Sequence, residues 1–212
     1  MAWKIKNEKP VYALEGGAFI CGAAVQWLRD GLGLIKSSSE IEKLASQVSN
    51  TGGVEFVPAL VGLGAPYWTA DARGEITGLT RGTSAAHLAR ATLEAMALQN
   101  ADILRAMEKD IKKGMKLKSL KVDGGASANN LLMQLQADYL QTKVDRPRIV
   151  ETTSLGAAYM AGLGVGVWKS WTELKKIWKV DREFKPSLSK KALAQRNLSW
   201  HRAINKCRTI SN

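Results

Sequence analysis

One short stretch of the sequence combines the residue types that could hold a polyanion. A short run with Leu120 and Val122 on one face predicts a strand, and Asp123-Gly124-Gly125 follows it directly. A helix-period pattern comes next, with Leu132, Leu135 and Tyr139 on one side. Glycines let backbone N–H groups come close to a ligand, and a helix N-terminus adds free donors and partial positive charge. The turn after Val122 is therefore predicted to cradle an anionic ligand.

Two glycine–amide pairs could bind a flat ligand between two helices. Gly22 and Gln26 lie in a helix predicted for Glu15–Leu34, while Gly125 and Asn129 lie at the start of the helix after the turn. Residues i and i+4 share one helix face, so two such faces could sandwich a purine and hydrogen-bond its edge. A mid-helix glycine also occurs where two backbones simply pack closely. Spacing alone leaves both interpretations of Gly22 open.

Motifs of several common catalytic classes are missing. The sequence shows no Ser/His/Asp set, no HExxH, no CxxC pair and no Walker A lysine motif. Cys21 and Cys207 lie far apart, and we interpret Cys21 as a buried free thiol, which fits a reducing, cytoplasmic compartment. His87 begins a long predicted helix without a partner at a catalytic spacing, so we interpret it as structural.

Composition and charge predict a folded protein with one core or at most two small ones. The 212 residues are 45% hydrophobic and include seven Trp. No run reaches the roughly 18 apolar residues of a membrane helix, and no signal-peptide core is present. The net charge of +12 could indicate nucleic acid or an anionic surface. The basic residues are spread out, however, so we expect neither a nucleic-acid nor a membrane partner.

Periodicity and turn residues predict an α/β alternation along the chain. The Trp- and Lys-rich segment 164–185 is interpreted as solvated lysines around partly buried Trp, rather than as a membrane-surface helix. The loop Gly62–Trp68 is either a packed surface loop or the border of a cleft. The first predicted elements are a hairpin over 1–14 with Trp3, Ile5 and Val11, the helix Glu15–Leu34, and a helix from the capping box Ser37–Glu40 to about Val48. They are followed by the strands Val54–Leu60 and Gly74–Leu79 and by a helix from Thr83 or Ser84 to about Lys112, which is stopped by Gly114. The last predicted elements are a strand around Val144, a helix Leu155–Gly162 whose Gly156 and Gly162 pack on the sheet, and a helix Lys191–Ile210.

An ordered series of motifs resembles the FGGY family of carbohydrate kinases. The resemblance runs from the first residues to about Pro186, and the final helix fits in register. Gly74–Glu94 matches the second signature pattern of the family. The motifs that carry the resemblance are Tyr12–Gly16, Gly22–Asp30, Gly62–Trp68, Ala72–Gly74, Gly78–Gly82, His87 with Arg90–Glu94, Val122–Gly125 with Ala128–Asn130, and Leu155–Ala158.

The resemblance implies an α/β fold of the ribonuclease H-like, actin-like ATPase type. The chain would be a C-terminal domain with a mixed sheet flanked by helices, missing its first strands. Residues 1–186 would form the nucleotide-binding domain, truncated at its N-terminus, and 187–212 a helix packing on the same domain. The chain also starts abruptly inside a predicted strand, which favours a truncation.

The resemblance further implies the ligands. Gly22, Gln26, Gly125 and Asn129 match the ATP-binding positions of the family, with Gln26 near the base, which agrees with the glycine–amide spacing. In the glycerol-phosphorylating branch, which this sequence resembles most, Mg-ATP donates its γ-phosphoryl group to a primary hydroxyl of glycerol. ATP, Mg²⁺ and glycerol are therefore the expected ligands, and no residue of this chain is assigned a catalytic or metal-binding role.

Departures from the family pattern limit what this chain is expected to do alone. Nothing in it aligns with the catalytic Asp, the polyol site or the glycine–threonine phosphate loop, which belong to a preceding half. The residue after Trp68 is Thr69, where many relatives carry an acid. We therefore expect the ATP-binding half of a kinase, with glycerol contacted through the absent N-terminal domain. The isolated chain is expected to be inactive and to bind ATP weakly.

Two alternatives stay open. The fold could serve as a non-catalytic interaction or assembly module, with the basic C-terminal third as its contact surface, or the kinase could act on another sugar. In the favoured interpretation as a kinase domain, the missing first hairpin and phosphate loop would leave sheet edge and apolar surface exposed, so we expect self-association into a homo-oligomer.

Overall fold

The computed structural model describes residues 2, 4, 9–111 and 117–209. Within these residues, no helix is long and apolar enough to cross a membrane. The elements follow in the order α1 (Gly22–Asp30), α2 (Glu40–Ala45), β1 (Glu55–Val57), β2 (Glu75–Thr77), α3 (Ala85–Asp110), β3 (Ser119–Lys121), a 3₁₀ turn (Gly125–Ala128), α4 (Asn130–Leu140), β4 (Lys143–Pro147), α5 (Thr152–Gly164), α6 (Trp171–Ile177), β5 (Val180–Phe184) and α7 (Lys190–Thr209).

Helix α3 is the central element of the core. It begins after Ser84, whose N–H donates to Nδ1 of His87 at 3.1 Å, which confirms the structural interpretation of His87. Buried alanines along its middle let α1, α2, α4 and β1 approach closely. The predicted long buried helix is therefore confirmed, while its predicted end at Lys112 and Gly114 lies outside the described residues.

A mixed sheet flanks this core. Strand β3 pairs in parallel with β4 through Leu120 and Val144, and β4 pairs antiparallel with β5 through Val144 and Phe184. Helix α4 forms the crossover between the two parallel strands and buries the predicted side, Leu132, Leu135 and Tyr139. Strands β1 and β2 form a separate antiparallel pair. The predicted mixed sheet with flanking helices is confirmed.

Buried hydrogen bonds attach α7 and the 62–68 loop to α3. Oδ2 of Asp102 accepts hydrogen bonds from the hydroxyl of Tyr67 at 2.6 Å and from the indole of Trp200 at 2.7 Å. Burial, followed by this contact with the Asp102 carboxylate, raises the pKa of the Tyr67 hydroxyl. With Leu63 also buried, one side of the loop Gly62–Trp68 is packed, while Trp68 is exposed, so the cleft border stays a prediction.

An ion network ties α7 to α3 and β1. The guanidinium of Arg196 contacts Glu94 at 2.7 Å and both carboxylate oxygens of Glu55 at 2.7 and 2.8 Å. All three side chains are mostly buried. Burial alone would lower the pKa of Arg196, but the carboxylates of Glu94 and Glu55 outweigh it and raise that pKa. The network therefore keeps the positive charge of Arg196 inside the fold, because carboxylates from α3 and from β1 neutralise it.

The predicted start of the first helix is wrong. Helix α1 begins at Gly22 rather than at Glu15, so Gly22 is its first residue and not a mid-helix glycine. The carbonyl of Gly17 accepts the N–H of Ala65 at 3.1 Å, and the carbonyl of Ile20 accepts from Gln99 at 3.1 Å. Because these carbonyls are bound by other parts of the chain, residues 15–21 stay outside the helix.

The predicted capping box and the bounds of the next helix are also wrong. Helix α2 starts at Glu40 with Ser39 before it, and it ends at Ala45 rather than near Val48. The carboxylate of Glu40 accepts the N–H of Lys36 at 2.9 Å, so it closes the preceding turn instead of capping from the third helical position. Of the N-terminal hairpin, Ala2 donates to the carbonyl of Val11 at 2.7 Å, while Trp3 and Ile5 lie outside the described residues.

Helix α5 packs differently from the prediction. Gly162 is a close-packing glycine, but it is buried against the ring of Trp168 in the loop between α5 and α6, and not against the sheet. A Cβ at Gly156, however, would meet nothing within 4 Å, because a groove lined by Leu155 and Tyr159 separates this side of α5 from the sheet. The predicted helix–sheet contact at Gly156 is therefore wrong. The final helix ends at Thr209 in the described residues, and Ile210 lies beyond them.

The ion network predicts a large effect of one substitution. Arg196→Ala leaves Glu55 and Glu94 without their shared cation, so we expect a loss of about 3 kcal/mol in the free energy of unfolding. Urea unfolding followed by circular dichroism measures this loss. The matched control is Arg202→Ala, because Arg202 is an exposed cation on the same helix. Equal stability of the two variants would contradict the role of the network.

Candidate functional site

The four residues predicted to bind a nucleotide line one cavity. Gly22 and Gln26 reach it from the first turns of α1, and Gly125 and Asn129 reach it from the 3₁₀ turn and the residue before α4. The cavity has a volume of about 430 Å³. The structure therefore brings together, from two distant parts of the sequence, every site residue predicted from it.

The lining of the cavity is apolar over most of its surface. Val25, Ile41, Leu93, Met96 and Leu132 come from four helices and form a continuous apolar wall. The polar side chains in the lining are the amides of Gln26 and Asn129, the hydroxyls of Ser38 and Ser39, and the carboxylate of Glu42. A flat apolar ligand with a few polar atoms at its edge suits such a lining.

Two glycines leave space where a side chain would protrude. A Cβ added at Gly22 or at Gly125 would meet nothing within 4 Å. Neither glycine has a positive φ, so neither is required by its backbone conformation. Both line the cavity, and the space in front of them is therefore room for a ligand rather than a packing contact. This geometry excludes a close packing contact at Gly22, and a ligand at this position stays a prediction.

The spacing predicted that Gly125 and Asn129 share one turn of an α-helix, but in the structure they do not. Gly125 begins a 3₁₀ turn, and Asn129 has φ −74° and ψ 110°, outside the helical region. Oδ1 of Asn129 accepts the N–H of Leu132 at 2.8 Å, which makes Asn129 the N-cap of α4. The cap holds the side-chain oxygen, and this leaves the amide nitrogen as the group available to a ligand.

Several N–H groups around the glycine turn and at the start of α4 are bound by protein acceptors. The N–H of Gly124 donates to the carbonyl of Val150 at 2.7 Å. The N–H groups of Asn130 and Leu131 donate to Oε1 of Glu42 at 3.0 and 3.1 Å. Together with the Asn129 cap, these bonds satisfy the first turn of α4. These N–H groups are therefore occupied, but those of Gly125 and Ala126 are not among them, so the polyanion cradle at this turn stays a prediction.

Three cavity residues were missed from the sequence. Ser38 and Ser39 precede α2 and were assigned to helix capping, and Glu42 lies on α2 itself. Glu42 is 88 residues before Asn130, so no local pattern connects the carboxylate with the helix that it caps. A hint was present in the helical spacing of Ser38 and Glu42, which puts both on one side of a short helix.

Comparison with known proteins agrees with this geometry. Residues 3–165 match the FGGY family of carbohydrate kinases, C-terminal domain. The chain belongs to this family. A glycerol kinase from Bdellovibrio bacteriovorus is 62% identical over 206 residues, which is 97% of this chain and 41% of that protein. The chain thus spans about two fifths of the length of the curated relatives that it matches.

Solved structures show the same fold. The structure of Plasmodium falciparum glycerol kinase with ADP superposes with a TM-score of 0.80 at 36% identity, covering 88% of this chain and 37% of that one. A xylulose kinase from Lactobacillus acidophilus superposes with a TM-score of 0.73 at 22% identity, covering 92% of this chain and 39% of that one. The predicted family and the actin-like ATPase fold are confirmed.

The N-cap predicts that Asn129 contributes to stability as well as to the cavity. Asn129→Ala removes the cap oxygen, so we expect α4 to lose about 1 kcal/mol of stability. Asn129→Asp keeps a cap oxygen and should unfold at nearly the same urea concentration as the wild-type chain. Equal destabilisation by both substitutions would show that the cap is not the reason. The Asp variant therefore separates stability from any effect on ligand binding.

Proposed function

We propose that this chain forms the nucleotide-binding part of a glycerol kinase. The observation that carries the proposal is the single cavity lined by Gly22, Gln26, Gly125 and Asn129. Membership in a carbohydrate kinase family supports ATP as the phosphoryl donor. The 36% identical solved relative was crystallised with ADP, which supports a nucleotide in this fold.

The cavity suits the nucleoside end of ATP. Its apolar lining and the open faces of Gly22 and Gly125 would take the flat purine, as two walls of a sandwich. The carboxamides of Gln26 and Asn129 would hydrogen-bond the edge of the purine or the ribose. These residues bind and orient the donor, and none of them is proposed to touch the reacting phosphorus.

The proposed reaction moves the γ-phosphoryl group of ATP to a primary hydroxyl of glycerol. The bond between the β–γ bridging oxygen and the γ-phosphorus breaks, a new oxygen–phosphorus bond forms, and a carboxylate takes the hydroxyl proton. Mg²⁺ would neutralise phosphate charge during the transfer. Among the described residues, no cluster of three or more acidic, His or Cys side chains could hold a metal ion. We propose that Mg²⁺ enters as Mg-ATP.

Glycerol is the acceptor that the relatives support over other sugars. Relatives named glycerol kinase are 62% and 57% identical, whereas the xylulose and gluconate kinases among the solved structures are 22% identical and support the fold alone. We propose that the polyol and the base are contacted by parts of a longer protein, outside the two fifths matched here.

Three further proposals concern the domain organisation, the cellular location and the oligomeric state of the protein. Residues 187–212 would belong to the same domain as 1–186, since Trp200 and Ile204 of α7 lie in the main core. The protein would be cytoplasmic, as expected of an enzyme using ATP and glycerol. A homo-oligomer is proposed on the exposed apolar side chains, among them Val165 at 80% and Tyr12 at 73% exposure.

Filling the cavity tests the proposed function. Gly125→Val places a branched side chain in the space beside Gly22 without a backbone clash, so we expect ATP binding to weaken by about tenfold or more while the fold persists. Isothermal titration calorimetry with ATP measures the change. The control is Gly156→Val, which also points into open space but in a separate groove.

Two results would count against this proposal. One is wild-type affinity for ATP in Gly125→Val. The other is complete indifference of the wild-type chain to nucleotide, which would favour the alternative of an interaction module on the same fold.

A second test concerns catalysis by this polypeptide alone. Because the chain covers 41% of a full-length relative, we expect no ATP-dependent phosphorylation of glycerol above background. A coupled assay for ADP release, with and without glycerol, measures it. Robust glycerol-dependent turnover by the 212-residue chain would refute the assignment of base and polyol contacts to other parts of the protein.

A further inference from the structure

Glu42 contacts both the cavity and the N-terminus of α4. It lies in the lining of the nucleotide cavity, and its Oε1 accepts the N–H groups of Asn130 and Leu131 at 3.0 and 3.1 Å. It is also the only carboxylate among the described residues that line this cavity. A negative charge therefore stands at the point where α4 would otherwise present its positive end to a ligand.

A helix N-terminus with free donors attracts phosphate, and nucleotide-binding proteins use such termini for that purpose. Here the first turn of α4 points its N–H groups at protein oxygens, two at Glu42 and one at Asn129. A phosphate at this position would have to displace the carboxylate and would meet its negative charge. An uncharged nucleoside meets neither obstacle.

We propose that Glu42 sets the direction in which a nucleotide enters the cavity. By filling the anion site of α4, it makes the cavity accept the nucleoside end and keeps the phosphates on the side away from α4. Glu42 acts through the N-terminus of α4 and is therefore a positioning residue. The inference rests on the proposed function, because it assumes that the occupant is a nucleotide.

The neighbouring helix offers a matched control. Glu40 lies on α2 two residues before Glu42, is exposed, and binds only the N–H of Lys36 among the described residues. It does not line the cavity. Glu40→Gln therefore removes the same charge from the same helix without touching α4 or the ligand space.

The test measures adenosine binding by titration calorimetry, with and without millimolar inorganic phosphate, for the whole 212-residue chain. In the wild type, phosphate should leave the adenosine affinity unchanged. In Glu42→Ala, adenosine should bind less tightly, and phosphate should weaken it further by about fivefold, the size expected for an anion at an exposed helix terminus. Glu42→Gln removes the repelling charge but keeps an oxygen for the N–H groups, so adenosine alone should bind nearly normally, and phosphate should weaken it by a smaller factor than in Glu42→Ala.

Sensitivity of adenosine binding to phosphate would be a new property of the Glu42 variants, and mere destabilisation would not produce it. Thermal melting followed by circular dichroism identifies a variant that does not fold, and if Glu42→Ala is unfolded the Gln variant decides. Adenosine binding by both Glu42 variants that is as insensitive to phosphate as in wild type and Glu40→Gln overturns the role of Glu42. Absence of adenosine and ATP binding by the wild type instead overturns the proposed function, and the inference with it.

Discussion

Two carboxylates buried in α3 are the constraint on which the rest of the structure depends. Glu94 and Asp102 lie on a helix covered on several sides, where an unpaired charge would be strongly unfavourable. Arg90 and Arg105 of α3 itself satisfy them only in part. The remaining hydrogen bonds come from outside the helix, from Arg196 and Trp200 of α7 and from Tyr67 of the loop before β2. Helix α3 can therefore be buried only when segments from both sides of it in sequence close around it.

The cavity depends on the same helix. Leu93 and Met96 of α3 line it, and they flank the buried carboxylate of Glu94 in sequence. The interactions that fix Glu94 thus also fix the wall on which a ligand would lie. Helices α1, α2 and α4 supply the remaining sides, and the bond from Glu42 to α4 closes them into one site. Stability and site geometry share one set of contacts.

Local patterns predicted the parts of the fold that local forces determine. The buried faces of α3 and α4 follow the helical period, and the apolar residues Leu120 and Val144 located β3 and β4 beside their turns. The start of α1 was missed because Phe19 and Ala23 continue a helix-like pattern, while the carbonyls of residues 17 and 20 are bound by distant groups. Such bonds have no trace in a local window.

The features of the candidate site likewise divide into those that a local pattern predicts and those that it does not. Gly22, Gln26, Gly125 and Asn129 could be found from glycine–amide spacing and from the family resemblance, since each pair is local in sequence. Their different backbone settings could not be found, because the capping of α4 by Glu42 joins segments 88 residues apart. The period of a helix says which side chains share a face, but not which distant carboxylate will satisfy its end.

The proposal that this cavity binds the nucleoside, while other groups act on the phosphates, follows from how binding energy affects a reaction rate. Contacts to a nucleoside are equally strong before and during phosphoryl transfer, so by themselves they do not lower the chemical barrier. They fix the position of the phosphates, and orientation of this kind can contribute several powers of ten to a rate. An apolar cavity with uncharged amides and a capped helix end suits that proposed task, since it would hold the nucleoside without attracting the phosphates. The groups that act on charge then belong beside the phosphates and not in this cavity.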